Sequence, residues 1–191
     1  MKTYILDGIW GSHNRWEKLR RLLGPDAVIW NYDNSGRSSL ARVGQSLAHE
    51  LGRSGEPFHL VGFSMGGLVV REALRVGENL PVGRVVFLHS PHSGSQVARF
   101  LPLPACREMR PGSPFLKNLA DSPWPHESLC TWCPYDLMVL PGQSGKFRGA
   151  DISLCCHFPA HVWPVFSNSL HRTIRDFLLH GRAQAKVSAR V

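Results

Sequence analysis

The chain has 191 residues, 43% of them hydrophobic, with 18 glycines and 14 prolines, which is the composition of a globular, turn-rich protein with one sizeable core. Nowhere does an apolar run approach the ~20 residues of a membrane span, and no stable membrane insertion is expected. The formal net charge of +8 raises nucleic acid or anionic surfaces as partners. Its basic residues are scattered, however, without a helix-turn-helix, finger or RNA-binding signature, so a solvated basic face is the better reading and no nucleic-acid partner is expected.

Met1-Lys2-Thr3-Tyr4-Ile5-Leu6-Asp7-Gly8 reaches an acidic residue and a turn too early for a signal peptide. It reads as a first strand, and the expected localisation is cytoplasmic. A glycine-punctuated loop, Asp7 to Ser12, follows. Asn14 with Glu17 three residues on resembles a capping box, opening a helix through Trp16, Leu19, Leu22 and Leu23 that stops at Gly24-Pro25. Arg15, Lys18, Arg20 and Arg21 give this segment its basic face. Residues 27–30 read as the second strand. Ser38 or Ser39 caps a helix from Leu40 to Leu51 with Val43, Leu47 and Leu51 on one face.

Pro57 to Val61 is a short apolar run with β-branched and aromatic members, the pattern of a buried strand. Gly62-Phe63-Ser64-Met65-Gly66 comes next and fits G-x-S-x-G. After it, Gly67 to Val76 has helical apolar spacing and ends at Gly77, a candidate left-handed cap. Strand, sharp turn and helix are the context a nucleophile elbow requires, in which small residues at 62 and 66 let the turn lift a serine hydroxyl above the strand ends. The bland alternative is a glycine-rich turn carrying a surface serine.

Residues 82–89 read as the fourth strand, followed by Ser90-Pro91-His92-Ser93-Gly94-Ser95 and a proline-rich stretch, 100–125, with one short helix near 113–119. Residues 128–133 and 151–156 read as the fifth and sixth strands, and 167–179 as a last helix. Strand alternating with helix predicts an α/β fold, a mostly parallel sheet of about six strands with helices on both faces and a minimal cap. Residues 1–181 form one expected domain, and 182–191 read as a flexible basic tail. The site belongs at the C-terminal strand ends.

A serine nucleophile needs an imidazole base and a carboxylate to hold it, in the chain order Ser, acid, His. Asp136, directly after the fifth strand, is preferred as acid over Asp121 and Asp151, its bland alternative being an Asx turn. His161 is preferred as base because the reach back to Ser64 requires a residue in a loop; His157, at the end of the sixth strand, is the runner-up. His171 and His180 read as surface residues. Backbone N–H groups of Met65 and Ile9 are the expected oxyanion donors, worth about 3 kcal/mol each. Trp10 and His92 are candidates for the pocket wall. Five cysteines without an export signal read as thiols. Cys130-x-x-Cys133 with Cys155-Cys156-His157 is weighed as a zinc set and set aside, because adjacent cysteines make poor co-ligands.

These segments resemble the lipases and esterases of the α/β-hydrolase superfamily, especially small, nearly lidless bacterial lipase-like members, over roughly residues 3–179. The segments that carry the resemblance are Asp7-Gly8-Ile9-Trp10-Gly11, Gly62 to Gly67, Ser90 to Ser95, Pro111 to Leu116, Pro134-Tyr135-Asp136 with Val139-Leu140-Pro141, and His161 before the last helix. The resemblance implies Ser64 as nucleophile, Asp136 as acid, His161 as base, Ile9 and Met65 as oxyanion donors, no metal or organic cofactor, and a small-molecule ester as substrate. Asp7 stands where many relatives carry histidine; the expectation is that it leaves the Gly8 and Ile9 amides free, while altering the hydrogen bonding of the loop and disfavouring anionic substrates. A thioesterase or acyltransferase would use the same residues. A catalytically silent hydrolase fold acting as a binding module is the alternative of another class.

Overall fold

The computed structural model describes residues 1–158 and 160–182, and of His13 the backbone alone. The tail expected at 182–191 therefore lies, from residue 183 on, outside the described residues. Six strands form one parallel sheet in the order β2-β1-β3-β4-β5-β6: β1 Lys2–Leu6, β2 Ala27–Ile29, β3 Phe58–Phe63, β4 Val82–Leu88, β5 Ser128–Trp132 and β6 Ile152–Cys155. Side chains alternate across each strand, and both faces are apolar. Tyr4, Leu6, Phe58, Leu60, Val85 and Phe87 point to one face, Ile5, Val61, Phe63, Val86, Leu88 and Leu129 to the other. Such double burial is why these strands read as continuous hydrophobic runs.

The first face is covered by α2 (Leu40–Ser54), α3 (Met65–Val76), α4 (Pro104–Glu108) and α5 (Pro114–Asp121), the second by α1 (Glu17–Leu23), α6 (Trp163–Phe166) and α7 (Asn168–His180). Leu40, Val43, Leu47 and Leu51 of α2 supply the predicted apolar stripe, and Ser39 caps it by accepting the Arg42 N–H at 3.2 Å. Ser113 and Ser167 cap α5 and α7 in the same way. The order of strands reverses between β1 and β3, which opens a crevice at their C-terminal ends, where ligands bind in open α/β sheets.

Several local expectations change. The segment from Asn14 is not one capped helix: His13–Trp16 is a 3-10 turn, and Glu17 turns its carboxylate to Arg20 and Arg21 instead of closing a capping box. The third helix begins at Met65, two residues early, because the elbow runs straight into it. Gly77 is no left-handed cap, since its φ is −82°. A Cβ there would lie 2.4 Å from Leu80 Cδ1 and 2.9 Å from the Ala73 carbonyl, so space selects glycine. The proline-rich stretch holds two helices, α4 and α5, whose Ala105, Cys106, Phe115, Leu116 and Leu119 join the core. His171 is buried, not on the surface; its Nε2 meets the Pro164 carbonyl at 2.9 Å and burial lowers its pKa.

Candidate active site

Ser64 follows β3 at the crevice with φ 52° and ψ −123°, a left-handed conformation that costs a residue with a side chain about 1–3 kcal/mol. The surroundings enforce it. Ser64 N–H donates to the Leu88 carbonyl at 2.8 Å, and the Gly67 N–H donates to the Ser64 carbonyl at 3.1 Å. A Cβ on Gly62 would lie 2.5 Å from Gly67 Cα, and one on Gly66 would lie 2.5 Å from the Asp7 carbonyl oxygen and 2.7 Å from that of Leu6. The elbow thus needs glycine at both positions, as its motif predicts.

Three side chains from three strand-end loops form a continuous chain. Ser64 Oγ lies 2.8 Å from His161 Nε2, and His161 Nδ1 lies 2.8 Å from Asp136 Oδ2. Asp136 Oδ1 accepts the Met138 and Val139 N–H groups at 2.8 and 3.0 Å, which makes the Asx-type turn and the acid position one and the same. Burial pushes the Asp136 carboxyl up, but the hydrogen bond from His161, the close His89 imidazole and the Met138 backbone N–H outweigh it and hold the group well below the usual carboxylate range. His157 is exposed, with its Nε2 3.8 Å from Cys155 Sγ, and does not join the chain. Asp121 is exposed at the end of α5. Asp151 lies at the outer sheet edge, where it accepts the Ser128 N–H at 2.9 Å and pairs with Arg182.

The loop after β1 lies directly over Ser64. A Cβ on Gly8 would come within 2.8 Å of Ser64 Cβ and 3.3 Å of its Oγ. Among the described residues, no acceptor takes the Ile9 or Met65 N–H. The Gly8 N–H, by contrast, is already used: it donates to Asp7 Oδ1 at 2.6 Å. Asp7 is buried and held by Arg15 through Oδ1 and, at 2.7 Å, through Oδ2, while its carbonyl accepts the Tyr32 hydroxyl. The expectation that Asp7 leaves the Gly8 amide free is thereby corrected, whereas its effect on the hydrogen bonding of the loop is of the kind expected. One amide is free, and the carboxylate is neutralised and turned away from solvent. Arg15, read in sequence as part of a solvated face, instead turns inward over the Phe63 ring; nothing short of the fold signals it.

The model of the alpha/beta hydrolase family matches residues 8–186. The chain belongs to the alpha/beta hydrolase family. Mature Bacillus licheniformis lipase BlEst2 shares the fold at 18% identity and a TM-score of 0.69, covering 86% of this chain and 89% of that one. A monoacylglycerol lipase of Paleococcus ferrophilus aligns at 16% identity, TM-score 0.69, over 94% of each chain. Aspergillus fumigatus lipase B aligns at 15% identity, TM-score 0.71, over 98% of this chain but 56% of its own. At such identities the likeness is one of fold. No curated protein matches the sequence.

Like other ligand sites at the strand ends of α/β sheets, the site opens into a cavity, here of about 260 Å³ with walls that are mainly apolar. Ile9, Phe63, Leu101, Met109 and Val139 line it beside Ser64 and His161, and Trp10, Met138 and Val162 stand exposed at its mouth. Trp10 is therefore where the pocket reading puts it. His92 is not: its neighbour Pro91 reaches the cavity, but the His92 ring packs edge-on against Phe87 and stacks on Phe147, both at 4.8 Å, and burial keeps its pKa well below the ordinary value. Cys130 donates to the Gly145 carbonyl inside the first core, while Cys155 is exposed on the edge strand, so the cysteines and His157 do not converge among the described residues. Burial pushes the Cys130 and Cys156 thiols up to about 12. No helix among the described residues is long and apolar enough to cross a membrane.

Proposed function

We propose that the protein is a serine hydrolase of carboxylic esters, with Ser64 as nucleophile, His161 as base and Asp136 as the acid that orients it. The observation that carries this reading is the Ser64–His161–Asp136 chain, with 2.8 Å at each link. An imidazole whose Nδ1 proton is held by a carboxylate presents a free Nε2 lone pair to the hydroxyl, the arrangement acyl transfer requires. Ser64 Oγ attacks the ester carbonyl as its proton passes to His161. The oxyanion that forms lies against the Met65 and Ile9 N–H groups, with the N-terminus of α3 adding its dipole. His161 returns the proton to the leaving alcohol, then takes one from water as its oxygen attacks the acyl-enzyme, and passes that proton to Ser64 Oγ as the acyl–Oγ bond breaks and the acid leaves.

Substrate preference follows from the cavity. Ile9, Leu101, Met109 and Val139 suit an aliphatic acyl group of short to medium length, with the alcohol directed towards the mouth at Trp10 and Val162. The acyl-transfer steps above draw only on side chains and backbone N–H groups.

Hydrolysis of p-nitrophenyl esters from acetate to palmitate, with fluorophosphonate labelling located by mass spectrometry, tests the reading. Label on Ser64 and turnover that peaks at short to medium chains are expected. Absence of both would overturn it in favour of a silent hydrolase fold.

A further inference from the structure

His89 is the residue at the site that the reaction above does not use. It follows β4 immediately and has φ 48°, a positive φ like that of Ser64 at the end of neighbouring β3. A histidine held there costs about 1 kcal/mol or more unless the fold gains something from it. Its N–H donates to the Thr131 carbonyl at 3.0 Å, which fixes the backbone and aims the side chain under the loop after β5. The ring is fully buried, 1% exposed, and its Nδ1 lies 3.2 Å from Asp136 Oδ2, an electrostatic contact just short of an aligned hydrogen bond. Among the described residues neither ring nitrogen has a hydrogen-bond partner, and Asp136 Oδ2 is the polar atom closest at hand. A buried imidazole with one polar neighbour is positioned by that neighbour, or positions it.

We propose that His89 is a positioning residue for the candidate triad: its ring N–H and that of His161 flank the same Asp136 oxygen, so the carboxylate is clamped between two imidazoles. This rests on the serine-hydrolase reading and extends it. The two backbone N–H groups on Oδ1 set the position of the carboxylate, and His161 approaches Oδ2 from the nucleophile side. His89 fills the remaining side of Oδ2, with its ring centre 6.1 Å from that of His161. The titratable groups facing Asp136 are then His161, His89 and the buried Cys133 thiol. A donor on the far side of Oδ2 draws charge away from His161. Its removal leaves the full carboxylate charge on His161, which favours the imidazolium.

The test compares His89→Gly, which accepts the backbone conformation and deletes the ring, with His89→Asn, which tolerates the same φ and returns an N–H near the position of Nδ1. His89→Gly is expected to lower kcat about 10–100-fold, leave KM unchanged because His89 does not line the cavity, and move the acid limb of kcat/KM to higher pH. His89→Asn is expected to restore most of kcat and return the limb towards the wild-type pH. Equal losses in both variants, or wild-type values in both, would overturn the proposal. Should either variant fold poorly, ¹⁵N-histidine NMR of the wild type beside Asp136→Asn decides instead. A His89 N–H resonance that moves with Asp136 supports the clamp, and one indifferent to it refutes the clamp. Fluorophosphonate labelling of the wild type at Ser64 is run in parallel. Failure to label sinks the underlying reading, whereas label together with indifferent His89 variants sinks the clamp alone.

Discussion

Ser64 and His89 occupy equivalent places on adjacent strands, each the first residue beyond the C-terminal end, with φ of 52° and 48°. Their side chains go opposite ways. Ser64 Oγ rises into the cavity at the start of α3, because Gly62 and Gly66 let helix and loop close around it. His89 has no helix directly after it, and its ring turns down against Asp136. A positive φ thus lifts a hydroxyl into the cavity in one turn and buries an imidazole against Asp136 in the other. Only the first has a motif, since a helix packed tightly on a strand demands glycines at fixed spacing, whereas a buried contact with a residue 47 positions away demands nothing nearby.

Changes at these turns and where they meet test the contrast. Ser64→Ala should cost about 10⁴-fold or more in ester turnover with the fold intact by circular dichroism; turnover near wild type would place the nucleophile elsewhere. Asp136→Asn, where the two turns converge, should cost about 10³–10⁴-fold in kcat and also change the pH dependence of stability. The Asp136 carboxyl lies below its ordinary value of 3.8 in the folded protein. Its contribution is therefore complete above that value and is lost as pH falls below it towards the folded pKa. Denaturation midpoints should thus fall less steeply below pH 4 in Asp136→Asn than in wild type, and parallel curves would contradict this assignment.

Gly66→Ala should destabilise the elbow by about 3 kcal/mol, because the new methyl meets backbone oxygens of Leu6 and Asp7 that cannot yield. A urea midpoint within error of wild type would mean the elbow is looser than it looks. The smallest effect on stability is expected for Ser64→Gly, which removes the penalty of a side chain at φ 52° and should raise stability by roughly 1 kcal/mol, although turnover is abolished as in Ser64→Ala. A loss of stability there would show that Ser64 is not strained.

Much of the fold was legible because its signals are local. The central strands are apolar runs that end at turns, and α2 repeats its apolar positions every three or four residues. The elbow was legible for the same reason. Asp136 could be ranked above Asp151 from strand order, Asp151 lying at the outer edge of the sheet, and His161 above His157 because the reach back to Ser64 requires a residue in a loop. The start of the chain was misread at Asn14 and Glu17, where a capping pattern competes with ion pairs to Arg20 and Arg21 and loses.

By itself the sequence determined the alternation of strand and helix, the glycines of the elbow and the order of serine, carboxylate and imidazole, because periodicity and tight turns act over a few residues. Tertiary structure alone decided that Arg15 turns in to neutralise Asp7, that His92 stacks on Phe147 instead of lining the cavity, and that His89 meets Asp136. Each of those outcomes depends on which side chains from distant segments share one buried volume, where an unpaired charge or imidazole must find its partner, and no spacing along the chain records that requirement.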